Sequence, residues 1–261
     1  MRKHPMVAIA AAALVMAALA SVALAAGKDK PVTVRAGNLE LTFDGGFSPK
    51  ALSRTTPTPI SAEFKGQIET LDGTHPPALK EVEIEADKNT GVNVKGYPIC
   101  TAAKLQSQDT KHAEQICGDS ILGKGKTKVQ IQFPEQPPIP VNSPLILFNG
   151  GEQGGVINLF VHAYITVPTP AAIVTTVKVS KIRNGRYGIK SVASIPKIAG
   201  GSGSVLSFTL NVGKQFTYKG KKVSFVTAKC PDGKIQVHGT AVFSDGTRAS
   251  AEVIRTCTPK G

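Results

Sequence analysis

The 261-residue chain contains no tryptophan, and its aromatic share is only 5%. That scarcity counts against chemistry that needs broad aromatic platforms, sugar stacking above all. Acidic residues are also few: 18 Asp and Glu stand against 31 Lys and Arg, a formal net charge of +13. Four cysteines are too few to hold a scaffold that lacks a core. A hydrophobic content of 41% is too high for a disordered chain. Past residue 27 no apolar run is long enough to cross a bilayer as a helix, and no long 3.6-residue periodicity occurs. The length accommodates one large domain or two small ones.

The N-terminal segment has the layout of an export signal. Arg2 and Lys3 form a short basic region, residues 5–27 carry no charge and are rich in Ala, and Ala23-Leu24-Ala25 offers a small-x-small cleavage pattern. A signal peptide over residues 1–25 is expected, with cleavage after Ala25 or Ala26 and a secreted, extracellular product; the alternative is an uncleaved N-terminal membrane anchor. Export implies an oxidising compartment, so Cys100, Cys117, Cys230 and Cys257 are expected to form two disulfides. Spacings of 17 and 27 residues do not match zinc-ligand pairs, and of three possible connectivities Cys100 with Cys117 and Cys230 with Cys257 each close a local loop.

Turn chemistry organises the rest. Asp44-Gly45, Asp72-Gly73, Asn149-Gly150, Asn184-Gly185, Asp232-Gly233 and Asp245-Gly246 tolerate positive φ and read as tight hairpin turns. Apolar alternation flanks most of them, and β-rich runs recur over residues 129–133, 145–148, 156–167, 173–182 and 205–212. This density of strands predicts an all-β protein, an antiparallel β-sandwich or jelly roll. One excursion, about 100–117, reads as two short helices over 101–105 and 109–117, with Asp109 as N-cap, Gly118 as the residue following the helix and the Cys100–Cys117 bridge as a clamp. Residues 133–144 hold five prolines. They serve either as a crossover within a single domain over 26–261 or as a linker between two immunoglobulin-sized halves split at about 134–144. Near the C-terminus, residues 221–230, 234–243 and 248–257 read as a three-strand meander. A flat meander would set its outer strands about 9.5 Å apart, too far for a Cys230–Cys257 bridge, so the sheet must curl or change layers there.

Several motifs together carry a resemblance: Pro98-Ile99-Cys100 with residues 117–125, Leu147-Phe148-Asn149-Gly150, His162-Ala163-Tyr164, Lys229-Cys230-Pro231-Asp232-Gly233, Phe243-Ser244-Asp245-Gly246 and the final Cys257. In combination they resemble a group of secreted proteins of actinobacteria with no assigned biochemical function. The resemblance implies an exported all-β protein and transfers no catalytic residue.

Two constellations invite an enzymatic reading. Glu81-Val82-Glu83-Ile84-Glu85 would place three carboxylates on one face of a strand, similar to the acidic strand of laminarinase-like retaining glycosidases, in which the outer acids act as nucleophile and general acid/base. Here the central acid is Glu rather than Asp, and no Trp is present for a sugar platform. The alternation also fits a solvated acidic face over a Val82 and Ile84 core face. Ser120, Asp119 and His162 could be assembled into a nucleophilic site, but no nucleophile elbow accompanies them. His75, His112 and His238 lack neighbours at metal-ligand spacing, and no motif implies a cofactor.

Charge is distributed unevenly. Residues 26–140 carry 14 basic and 14 acidic side chains; residues 141–261 carry 15 and 4. Lys181, Arg183, Arg186 and Lys190, together with Lys219, Lys221 and Lys222, are expected at strand ends and tips, where they would attract polyanions. For an exported protein these would be anionic envelope polymers or lipid headgroups; no nucleic-acid recognition motif is present. The expectation is a non-enzymatic binding or structural protein of the bacterial envelope, with a glycan hydrolase using Glu81 and Glu85 as the alternative.

Overall fold

A computed structural model describes residues 22–23 and 29–261. The expected signal peptide and its cleavage sites therefore fall almost wholly outside the described residues. The protein is all-β and antiparallel, with a short helical excursion and two disulfides. Twelve long strands belong to one continuous sheet: β1 (Val32–Ala36), β2 (Leu39–Ser48), β3 (Ser61–Thr70), β4 (Leu79–Asp87), β5 (Ile121–Ile131), β6 (Ile139–Gln153), β7 (Val156–Ile165), β8 (Ala171–Asn184), β9 (Tyr187–Ser194), β10 (Gly203–Val212), β11 (Lys234–Phe243) and β12 (Arg248–Thr256). Their spatial order is β1-β2-β3-β10-β5-β6-β7-β8-β9-β4-β11-β12, and the two-residue strand Val22–Ala23 adds to the outer edge of β1. The two opposed walls of the expected sandwich are thus halves of a single curled sheet.

The sheet nearly closes on itself, because β12 returns to lie beside β1 and β2. Among the described residues no strand ladder joins that seam. It is held instead by side chains and by the start of the described chain. Arg255 on β12 faces inward, only 7% exposed, and bonds the Asp44 carboxylate, the Gly45 carbonyl and the Lys30 carbonyl. Asp29 accepts from the Thr256 backbone N–H at 2.9 Å and donates its own N–H to the Ile254 carbonyl at 3.3 Å. These groups cover part of the edge that an open sheet would present.

Alternation decides which side chains point inward. Along β4, Val82, Ile84 and Ala86 line the interior while Glu81, Glu83 and Glu85 occupy the other face. Along β5, Thr127 and Val129 face in, and Lys124, Lys126 and Lys128 are exposed. An apolar interior with a charged exterior is the reverse of a membrane-spanning barrel, whose outer band is apolar and whose lumen is polar.

One end of the barrel is capped. Thr58–Pro59, Val226–Ala228 and Thr90–Val92 form a three-stranded sheet, Thr258–Lys260 pairs in parallel with Ala51–Ser53, and Gln215–Tyr218 forms a hairpin with Lys221–Ser224. Leu52, Ile60, Val94, Tyr97, Phe225 and Val226 carry the cap's apolar side into the main core. The C-terminal meander is accordingly not formed. The stretch 221–230 leaves the barrel, and β11 pairs with β12 and with the acidic strand β4. Cys230 reaches Cys257 across a Cα separation of 6.1 Å because it sits in the cap rather than on an outer strand of the same sheet.

The turn pairs divide by location. Asn184-Gly185 and Asp245-Gly246 form hairpin tips. Asp44-Gly45 does not turn the chain: it lies inside β2, where a side chain at Gly45 would meet the Glu63 carbonyl at 2.2 Å. Asn149-Gly150 lies in β6 at a bulge between Asn149 and Glu152. A glycine inside a strand marks a bulge or a close backbone approach as readily as a turn. The proline-rich stretch is the connection between β5 and β6 and the start of β6, so the residues on either side of it pair within the same sheet.

The helical excursion follows its expected outline. Ala102–Leu105 and Thr110–Cys117 are helical, and the Asp109 side chain accepts from the His112 N–H at 2.8 Å. Gly118 differs from the expected left-handed end: its φ is −55°, and it continues into a 3-10 turn. The excursion packs Leu105, Ala113 and the Cys100–Cys117 bridge over Ile146 and Phe148. Asn149, fully buried, holds its entry by donating to the Tyr97 and Pro98 carbonyls at 3.3 and 3.0 Å. Helices of this length are marginal alone, so the bridge sets their stability. Replacing Cys100 and Cys117 together with Ser is expected to cost about 3 kcal/mol for a loop of this size, measurable by urea denaturation, with the barrel's strand signal retained in circular dichroism.

Candidate functional site: an apolar cavity inside the barrel

The barrel surrounds a partly open cavity of about 370 Å³. Its walls are almost entirely aliphatic and aromatic and come from the inner face of strands around the barrel: Val161 and Val177 from β7 and β8, Ile84 from β4, Phe43 from β2, Phe208 and Leu210 from β10. The cap closes one end with Ile60, Val92, Phe225 and Val226; Leu79, Ile195 and Ile198 bound the other. Arg255 borders the cavity at the seam, its guanidinium taken up by the contacts described above.

Protein interiors normally leave few voids larger than a water molecule. A space of about 370 Å³ is many times that limit. The sequence holds this space open with small residues at inward positions: Ala86, Ala163, Ser191 and Ala193 all face it, where larger aliphatic side chains would fill it. Volume and character match cavities that bind small molecules, roughly 300–1,000 Å³ and mainly apolar.

The acidic strand does not face this space. Glu81, Glu83 and Glu85 lie on the outer wall of β4, and none of them lines the cavity. Glu83 pairs with Lys190 at 2.5 Å and Arg248 at 3.4 Å, which hold its carboxyl below its ordinary value. Glu85 accepts from Asn184 at 3.3 Å. Ser120 and His162 do not engage one another: Ser120 donates to the Cys117 carbonyl at 2.7 Å, and His162 bonds the Gln108 carbonyl at 2.9 Å. Among the described residues, no group of three or more His, Cys, Asp or Glu side chains could hold a metal ion.

His162 is instead a buried structural residue under the helical excursion, edge-on to Phe148. Since its Nε2 must donate to a carbonyl, its Nδ1 carries a lone pair, and that atom has no partner among the described residues. Burial pushes its pKa below 6.5. A depressed folded-state pKa means that protonation favours the unfolded chain. The contribution is therefore fully present above about pH 6.5 and is lost as pH falls below it. His162→Gln is expected to flatten that part of the stability profile, read as the difference between wild-type and variant urea midpoints in a titration below neutral pH.

The basic residues fall into two groups. Arg186 and Lys190 are engaged, Arg186 with Asp87 and Asp232 and Lys190 with Glu83. Lys181 and Arg183 are exposed at the β8–β9 tip; Lys219, Lys221 and Lys222 are exposed on the cap hairpin. No protein-family model and no curated protein matches this chain. Two disulfides are present, and among the described residues no helix is long and apolar enough to cross a membrane.

Proposed function

We propose that the protein is an exported, non-enzymatic binding protein whose barrel takes up an apolar small molecule, such as a lipid chain. The cavity of about 370 Å³ carries this reading. A guest that fills it gains the hydrophobic and packing energy that the small inward residues leave unrealised. The small polar share of the walls favours a guest selected by shape and apolarity, with any polar head at an end of the barrel. Export places such a carrier outside the cell, where apolar molecules have no other aqueous route.

The direct test is titration of the purified protein with N-phenyl-1-naphthylamine, a dye that fluoresces when desolvated, alongside native mass spectrometry of freshly purified protein. Saturable emission at one dye per chain, displaced by long-chain fatty acids, is the expected result. Unsaturable or absent emission, together with a mass equal to the bare chain, would overturn the reading.

A further inference from the structure

The cap has two unlike faces. Three of its segments, residues 49–60, 88–97 and 213–231, contribute Ile60, Thr90, Val92, Phe225 and Val226 to the cavity wall. The same segments carry nine Lys and Arg and no Asp or Glu. Arg54, Lys88, Lys95, Lys214, Lys219, Lys221 and Lys222 among them are exposed and have no ion-pair partner among the described residues. The cap hairpin ends in a tight turn: Lys219 and Gly220 both take positive φ, at 49° and 72°, and Tyr218 lies against Gly96, which fixes the hairpin to the loop beneath it. The opposite end of the barrel differs in sign. Its connecting segments, residues 37–38, 71–78, 132–138, 166–170, 195–202 and 244–247, carry three acids, Asp72, Glu135 and Asp245, against the single base Lys197. The molecule is thus electrically polar along its axis.

We infer that the cap end docks on an anionic lipid bilayer, and that its segments form the lid through which an amphiphile passes between the bilayer and the barrel. The inference rests on the apolar-guest reading above. A basic surface attracts any polyanion; two observations favour a bilayer over a soluble polymer. The charges radiate from three separate segments around one end, which suits a plane of headgroups better than a single strand. The same segments wall the cavity on their inner side, so a docked cap would set the apolar interior directly against the source of apolar cargo.

Sedimentation with large vesicles separates the possibilities. Vesicles containing phosphatidylglycerol are expected to pull the protein down at low salt and release it at high salt; phosphatidylcholine vesicles are expected to leave it in solution. Changing Lys219, Lys221 and Lys222 together to Gln is expected to weaken binding by about 100-fold. Changing the exposed Lys126, Lys128 and Lys178 of the barrel wall together to Gln is expected to alter it little, which controls for net charge. Equal binding to both vesicle types, equal losses from cap and wall variants, or retention on soluble polyphosphate with none on vesicles would each overturn the proposal. Naphthylamine binding, measured without vesicles, reports on the cavity alone. A failure of docking and a failure of the apolar-guest reading are therefore told apart.

Discussion

Replacing Arg186 with Met is expected to destabilise the fold by about 3–5 kcal/mol, the range for breaking a buried ion pair from one side. Asp87, at the end of β4, is fully buried. Its carboxylate accepts from the Arg186 Nε at 2.6 Å, the Gln236 N–H at 3.1 Å and both the N–H and the side-chain amide of Asn89 at 2.9 Å. Arg186 also bonds Asp232 and donates to the Lys234 carbonyl at 2.9 Å. The guanidinium thus ties the β8–β9 tip to β4 and to the turn that opens β11, beside the Cys230–Cys257 bridge. Methionine keeps most of the side-chain bulk, so the loss reports on charge rather than on a cavity. Asp87 would remain buried with amide partners but no counter-charge. Removing both partners, as Arg186→Met with Asp87→Leu, is expected to recover part of the loss, because the burial of an unpaired carboxylate is then avoided. Chemical denaturation of the four proteins of this cycle measures both quantities. If Arg186→Met cost less than about 1 kcal/mol, the usual ceiling for an exposed pair, Arg186 would belong with the solvent-facing basic residues.

Much of the fold was legible in alternation and turn residues. The Val82 and Ile84 face of β4 and the paired chemistry of Asn184-Gly185 and Asp245-Gly246 have local causes that a sequence displays. Both disulfides join the cysteines that close local loops in the sequence. What the sequence concealed is long-range. A strand's inward face reads the same whether it meets a second sheet or a cavity, so the interior space was invisible: Ala193 and Ser191 look like ordinary strand residues until their neighbours across the barrel are known. The seam was hidden for the same reason. Arg255 stands at an inward position of an alternating strand, an anomaly that could have flagged a buried charge, but its partner Asp44 lies more than two hundred residues away. The split of residues 221–230 into two cap strands turned on a partner choice, since β4 rather than that stretch takes the free side of β11. The uneven charge was visible as a count, whereas its concentration on the cap required knowing that segments 49–60, 88–97 and 213–231 meet.

Filling the cavity from within is expected to abolish naphthylamine binding without harming the fold. Ala193 on β9 faces the interior beside Ser191 and Ile189, and its strand is held on both sides by full ladders to β8 and β4. Ala193→Phe adds a ring to a wall that borders open volume rather than packed atoms. The usual cost of over-packing, roughly 1–3 kcal/mol, should therefore be offset by apolar surface buried at about 25 cal/mol per Å². Thermal stability is expected to stay level or rise, while dye affinity falls by at least about tenfold, the equivalent of 1.4 kcal/mol of lost contact. A residue that merely shaped a packed core would show the opposite pattern, a lower melting temperature with dye binding unchanged. Vesicle sedimentation of the same variant should match the wild type, because the basic face of the cap is untouched. If dye binding persists at full affinity while the variant is as stable as wild type, the dye sits elsewhere, and the cavity is not the binding site.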